Sequence, residues 1–206
     1  MGHYFDANPG TRSKERDIEL RLGDVELRLR ADAGVFSSRQ IDRGTMLLLE
    51  RGRPLTSTGN LLDLGCGYGP IALTLARRSP NSTVWAVDVN RRAVDLCRLN
   101  ADANHLDNVR VCAPDDVPPD IEFSTIWSNP PIRIGKPALH RMLLTWLGRL
   151  AVGGSAVMVV NKNLGSDSLA RWLTVEHGWD VQRLTSRDGF RLLEVRRPVE
   201  TPGVGG

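Results

Sequence analysis

Apolar and polar residues alternate along residues 17–22 and again along 25–30, with Gly23-Asp24 between them. Extended backbone puts every second side chain on one face, so Ile18, Leu20 and Leu22 align on one strand and Val25, Leu27 and Leu29 on the other. A Gly-X pair joining two such runs predicts a β-hairpin. The period then lengthens. Ile41, Thr45, Leu48 and Leu49 recur at helical spacing, which predicts a helix capped by Ser37 or Ser38 and ending near Arg51. Pro54 and Gly59 break it. From Asn60 onward, short apolar runs alternate with amphipathic ones. Strands are expected at 61–64, 83–87, 109–112, 123–127 and 156–160, and helices at 70–78, at 91–104, from Pro137 and at 167–177. A proline-rich connection, 114–119, precedes the fourth of these strands, and 179–184 pairs with 191–195 around Asp188-Gly189. Such alternation predicts an α/β fold built on a doubly wound, mostly parallel sheet.

A chain of 206 residues, 41% hydrophobic, fits a single domain with a core of its own. Residues 1–58 read as a hairpin-and-helix cover belonging to that domain, 59–197 as its core and 198–206 as a disordered tail. Three cysteines, Cys66, Cys97 and Cys112, are odd in number and form no CxxC pair, which argues against a disulfide framework or a metal site. Reduced, buried thiols in a cytoplasmic protein are expected. No cationic, apolar leader opens the chain, and its most apolar stretch, 150–160, is about half the ~20 residues that cross a bilayer, so no membrane partner is expected. A net charge of +3 and a pI near 9.0 permit a polyanionic partner without requiring one. Only Lys14, Lys136 and Lys162 among the 27 basic residues are lysine, so the arginines reflect compositional bias as much as phosphate binding. The composition sets no oligomeric state.

Candidate chemistry begins at Leu61-Leu62-Asp63-Leu64-Gly65-Cys66-Gly67-Tyr68-Gly69-Pro70. Three glycines at a strand-to-helix turn let backbone approach a cofactor that side chains would block. Asp88 ends the next strand, where a carboxylate accepts from both ribose hydroxyls; Cys66 and Val89 flank these positions and are included with the site. The spacing is D-x-G-x-G-x-G and not the pyrophosphate fingerprint G-x-G-x-x-G, which favours S-adenosyl-L-methionine over a nicotinamide cofactor. Asp115 and Asp116, past the third core strand, are candidates for the adenine amino group. The competing reading is a tight turn that only packs, with Tyr68 an ordinary buried aromatic.

A second constellation, Asn129-Pro130-Pro131-Ile132, closes the strand expected beside the glycine-loop strand. An exocyclic base amine or carboxamide is a poor nucleophile because its lone pair is delocalised. Acceptors aimed at its N–H bonds, the Asn129 side-chain oxygen and the Pro130 carbonyl, localise that pair and stabilise charge growing on nitrogen. The prolines fix φ and have no N–H of their own to occupy those acceptors. Arg133 and Lys136 lie just beyond as candidate phosphate contacts, against a solvated-surface alternative. His140 is expected on an exposed helical face and His105 near a helix end, neither as a base.

These residues together resemble the class I S-adenosylmethionine-dependent methyltransferases, and within them the small-domain family whose best-known members are ribosomal RNA guanine-N2 methyltransferases. The resemblance spans residues 3–196 and rests on the hairpin, Gly34-Val35-Phe36-Ser37, Ile41-Asp42-x-Gly44-Thr45, the glycine loop, Asp88, Asn100 and Ser128-Asn129-Pro130-Pro131. It implies a Rossmann-like fold, S-adenosylmethionine as cofactor, ribosomal RNA as partner, and Phe36 and Ser37 near the cofactor and acceptor entry. The extra N-terminal half of ribosomal members does not precede the hairpin here, so RNA docking would fall to the hairpin and arginines or another surface. Ile132 replaces the usual aromatic, and Ser124 stands where an Asp commonly follows Phe123. Other readings are methylation of a protein glutamine amide or another base amine, a small-molecule methyltransferase, and a catalytically silent RNA-binding module.

Overall fold

The computed structural model describes residues 15–32, 40–53, 55 and 58–197. The hairpin consists of β1 (Arg16–Arg21) and β2 (Glu26–Ala31), antiparallel and separate from the main sheet. After it come α1 (Arg43–Arg51), β3 (Gly59–Leu64), α2 (Pro70–Arg78), β4 (Ser82–Val87), α3 (Arg91–Ala103), β5 (Val109–Cys112) and β6 (Phe123–Ser128). The chain closes with α4 (Lys136–Leu147), β7 (Leu150–Asn161), α5 (Ser166–His177), β8 (Asp180–Arg187) and β9 (Phe190–Arg196). The main sheet has the order β5-β4-β3-β6-β7-β9-β8. Its first five strands run parallel, and β9 and β8 join antiparallel at one edge. This is the expected doubly wound sheet, of the Rossmann-like methyltransferase type.

Two elements differ from expectation. The helix expected from Ser37 or Ser38 begins instead at Arg43, because Asp42 caps it: the carboxylate accepts from the Thr45 amide at 3.1 Å. Residues 33–39 lie outside the described structure, as do Pro54 and the tail 198–206. Strand β7 starts six residues earlier than 156, and its register shifts between the Phe123 and Thr125 pairings. Gly153, at φ +77°, lets the chain bulge there and leaves Val152 exposed.

Strand alternation sorts the core into two layers. Leu61, Val157, Val159 and Leu192 face α1, α2, α3 and the hairpin, whereas Leu62, Leu64, Met158, Val160 and Leu193 face α4 and α5. Each fully buried side chain of this kind contributes roughly 1.5–3 kcal/mol of transfer free energy, so the sheet's position between the layers is strongly determined.

The hairpin buries Leu20, Leu27 and Leu29 against the first layer, and its outer edge is met by side chains of α3. Asn100 accepts from the Arg30 amide at 2.7 Å and donates to the Arg30 carbonyl at 2.8 Å. Asn104 does the same with Arg28 at 3.1 and 2.8 Å. Four helical residues rise about 6 Å and two strand residues about 6.8 Å, so the two amides pair with β2 almost as a neighbouring strand would. Asn100 also donates to the carbonyl of Tyr68 in the glycine loop at 2.8 Å. On the solvent face, Asp17 lies opposite Arg30, Glu19 opposite Arg28 and Arg21 opposite Glu26. That face is therefore charge-balanced. Replacing Asn100 with Ala should remove three hydrogen bonds and strand their partners, destabilising the protein by roughly 2–3 kcal/mol. Urea unfolding measures this, and a change below about 0.5 kcal/mol, the range of neutral surface substitutions, would show the ladder to be incidental.

Candidate active site

Strand β3 pairs with β4 on one side and with β6 on the other, so connections leave it in opposite directions and open a crevice beyond its carboxyl end. The glycine loop turns there: Gly65 and Cys66 donate to the Val87 carbonyl at 2.8 and 3.1 Å, bending the chain across the end of β4. Gly65 has φ +80° and a Cα that faces open space. Gly69, at φ +97°, is required twice over, since a Cβ would lie 2.6 Å from a Leu73 methyl and 2.8 Å from the Cys97 sulfur.

The structure separates the roles of the predicted cofactor residues. Asp88 stands half-buried at the crevice, one oxygen accepting from Gly67 N and the other from Asn90 N, both at 2.9 Å. Each oxygen keeps a lone pair for a further donor. Burial raises its pKa against those hydrogen bonds. Val89 beside it is exposed. Asp63 lies behind the loop and is fully buried; one oxygen accepts from Ala72 N at 2.9 Å and the other has no partner among the described residues. Burial pushes its pKa up to about 8. Cys66 is buried next to Cys97, whose sulfur, together with desolvation, raises the Cys66 thiol well above its ordinary value. It is an inert loop residue in that state. Asp116 accepts from Ala113 N at 3.3 Å and so fastens its own turn, while the neighbouring Asp115 carboxylate is exposed and unengaged among the described residues.

Across the crevice, Asn129 follows directly on β6. Its amide nitrogen donates to Asp42 Oδ2 at 2.9 Å and to Thr45 Oγ1 at 3.0 Å, both in the first turn of α1. A carboxylate can only accept, so the NH2 group must face α1 and Oδ1 faces the other way. The next residues behave differently from expectation. The Pro130 carbonyl accepts from the Ile132 amide at 2.8 Å, and Pro131 has φ −74° and ψ 75°, an inverse γ-turn. The prolines do leave the acceptor alone, but the following residue takes one of its lone pairs. Ile132 packs at the edge of the second core layer, and Arg133 and Lys136 are exposed.

Phe36 and Ser37 lie outside the described residues. Asp42 carries no predicted role and Thr45 only a place in the helical pattern; the Asp-x-x-Thr spacing of a helix N-cap is the signal in the sequence that points to both. Tyr68 packs in the core as expected, with its hydroxyl buried and unpartnered among the described residues; burial first, and the Asp42 charge second, push its pKa up. His140 is not on an open face: it stacks on Trp172 at a centroid distance of 3.5 Å, and burial is the largest influence lowering its pKa. Among the described residues no cluster of three or more His, Cys, Asp or Glu has metal-site geometry, and no helix is long and apolar enough to cross a membrane.

An open, mostly parallel sheet with a glycine turn at the end of β3, the Asp88 carboxylate beside it and an Asn-Pro-Pro turn at the end of the neighbouring β6 is a methyltransferase type of fold. The sequence profile of the Methyltransferase small domain family matches residues 26–194, and the chain belongs to that family. It is 32% identical to Uncharacterized protein YbxB of Bacillus subtilis (strain 168) over 95% of this chain and 98% of that one. It is 35% identical to Ribosomal RNA small subunit methyltransferase C of Pseudomonas aeruginosa (strain LESB58), covering 93% of this chain and 57% of that protein. The chain thus spans little more than half the length of the ribosomal RNA methyltransferase it matches. The fold is shared with the T. Thermophilus 16S rRNA N2 methyltransferase RsmC in complex with AdoMet and guanosine, with a TM-score of 0.75, 24% identity and coverage of 92% of this chain and 52% of that one.

The buried carboxyl of Asp63 makes stability depend on pH. With its pKa pushed up to about 8 it keeps its proton in the folded chain, but it ionises near the ordinary carboxylate value of 3.8 when unfolded, so the native state holds the extra proton between those values. Stability from this group is therefore lost as pH rises through that window, by at most about 1.4 kcal/mol per unit. Asp63→Asn keeps the shape and an acceptor for Ala72 N without ionising. Its unfolding midpoint should match wild type near pH 4 and exceed it progressively toward pH 8; parallel curves would show that Asp63 is ionised in the native protein.

Proposed function

We propose that this chain is an S-adenosylmethionine-dependent N-methyltransferase acting on an exocyclic base amine of ribosomal RNA, with guanine N2 as the acceptor. The observation that carries this reading is Asn129 at the end of β6 beside the glycine loop of β3, its NH2 group bound to Asp42 and Thr45 and its Oδ1 unengaged among the described residues. The residues fit the cofactor. Asp88 has lone pairs to spare for two ribose hydroxyls, the open Cα of Gly65 lets backbone approach, and the buried Asp63 holds the turn from behind by accepting from Ala72 N.

When bound, the cofactor supplies an electrophilic methyl group on a sulfonium. Asn129 Oδ1 and the remaining lone pair of the Pro130 carbonyl accept the two N–H bonds of the acceptor amine, directing its lone pair at that methyl. The nitrogen would gain the methyl as the C–S bond breaks, that bond's electron pair staying on the now neutral sulfur, and would afterwards shed one proton to water. The rigid γ-turn at Pro131 holds both acceptors without reorganisation. Ile132 offers an apolar surface in place of a stacking ring.

The distribution of cations supports RNA at this edge. Arg43, Arg133, Lys136 and Lys162 are exposed and make no ion pair among the described residues. All four lie near the carboxyl ends of the parallel strands or in the turn of α1 that contacts Asn129. On the hairpin, by contrast, Arg21 is paired with Glu19 and Glu26, and Arg30 with Glu15. Charge reversal at Lys136 and Lys162 should weaken RNA methylation and flatten its salt dependence, whereas reversal at Arg21, which is paired with Glu19 and Glu26, should not.

Asp88→Ala should lose charge-assisted hydrogen bonds of roughly 1.5–3 kcal/mol each to the cofactor, read by calorimetry with S-adenosylmethionine. Asn129→Ala should lower turnover by about 10² or more with cofactor affinity unchanged. The decisive experiment offers radiolabelled S-adenosylmethionine to ribosomal RNA, assembled subunits, whole-cell protein and small-molecule extract, followed by nucleoside analysis. Label as N2-methylguanosine is expected. Label confined to protein would establish the glutamine reading instead, and tight cofactor binding with no acceptor in any fraction would favour the silent module.

A further inference from the structure

Asn129 has two chemically opposite ends, and only one of them can assist an amine. Turned by 180°, the side chain would present N–H to N–H, and the acceptor lone pair would be left delocalised. The structure contains a device that fixes the choice. Asp42 Oδ2 and Thr45 Oγ1 take both amide hydrogens of Asn129 at 2.9 and 3.0 Å. In the flipped amide a carbonyl oxygen would face the carboxylate oxygen, an unfavourable contact in a partly buried site. Asp42 is itself immobilised, because the same Oδ2 accepts from Thr45 N at 3.1 Å as the N-cap of α1. The turn is further pinned by close packing. A Cβ on Gly44 would come within 2.9 Å of both Asp42 Oδ2 and the Phe190 ring on β9.

We infer that Asp42 and Thr45 are positioning residues that lock the Asn129 amide with its carbonyl toward the acceptor amine, an assignment that rests on the proposed role of Asn129. The cap of a cover helix then has two duties: it starts α1, and it sets the polarity of a side chain on a strand 87 residues away in sequence. Thr45 contributes through its hydroxyl alone, its backbone amide being already engaged by the cap.

The first test needs no acceptor. In 15N-labelled protein the Asn129 side-chain NH2 signal is identified by its loss in Asn129→Ala. Its hydrogen exchange should be slower than that of the exposed Asn163 amide by about tenfold or more in wild type and in Thr45→Ser, and should speed up in Thr45→Val. An Asn129 amide that exchanges as fast as Asn163 in wild type overturns the lock. The second test uses methyl transfer to deproteinised small-subunit ribosomal RNA. Thr45→Val should lower kcat about tenfold with the KM for S-adenosylmethionine unchanged, and Thr45→Ser should restore it. Adding Thr45→Val to Asn129→Ala should cause no further loss, since the hydroxyl acts only through that amide. A loss that adds in full overturns the assignment. Should wild type methylate no RNA, the proposed substrate fails, and the exchange experiment alone decides the lock.

Discussion

The arrangement depends on one side chain, Asn100, whose amide reaches three separate pieces of the chain. Buried on α3, it pairs with both backbone groups of Arg30 and holds the Tyr68 carbonyl of the glycine loop. A buried peptide group without a partner is expensive, so these three partners are held to α3 once water is excluded. Asn104 repeats the pairing one turn later and covers the edge of β2, which would otherwise be an open template for another strand. The hairpin is thereby fixed next to the cofactor loop, although it shares no backbone ladder with the main sheet.

The other side of the crevice follows the same principle with a different pair of groups. The first turn of α1 must satisfy its unpaired amides, and Asp42 does so while also facing Asn129. Helix capping and site geometry are thus one hydrogen-bond network. Tyr68, from the glycine loop, is buried in the same core layer as Leu47, Leu48 and Leu49 of α1; burial first, and the Asp42 charge second, raise the pKa of its phenol. The carboxylates divide by burial. Asp88 remains half-accessible with its oxygens anchored by backbone amides, whereas Asp63 is sealed off, and desolvation favours its neutral form.

Charge is distributed unevenly in a way composition does not reveal. The net value of +3 is small, and many arginines are matched within elements, as on the hairpin, or bind backbone carbonyls, as Arg149 does at Ile121. Arg43, Arg133, Lys136 and Lys162, exposed and without an ion pair among the described residues, lie near the ends of the parallel strands or at the start of α1. For a polyanion that placement matters more than the total, because attraction between exposed groups fades within about a Debye length of 8–10 Å.

Local pattern was enough for most of the architecture. Period-two alternation with Gly23-Asp24 specified the hairpin, helical periodicity placed α2 to α5, and the strand–helix order implied the parallel sheet. The Asp63 and glycine spacing, Asp88 and Asn129-Pro130-Pro131 marked both sides of the crevice, because a tight strand-to-helix turn, a carboxylate held by backbone amides and a rigid proline turn each require particular residue types at short spacing. Partner choice was not legible. Asn129 with Asp42 and Asn100 with Arg30 are separated by 87 and 70 residues, and a side-chain amide can satisfy itself equally well with water in an open chain. The sealing of Asp63, the γ-turn that engages the Pro130 carbonyl and the stacking of His140 on Trp172 likewise depend on which groups packing removes from solvent. Local pattern set the elements and the chemical groups brought to the crevice; packing set their orientation, because hydrogen-bond direction becomes fixed when burial leaves each polar group a limited set of partners.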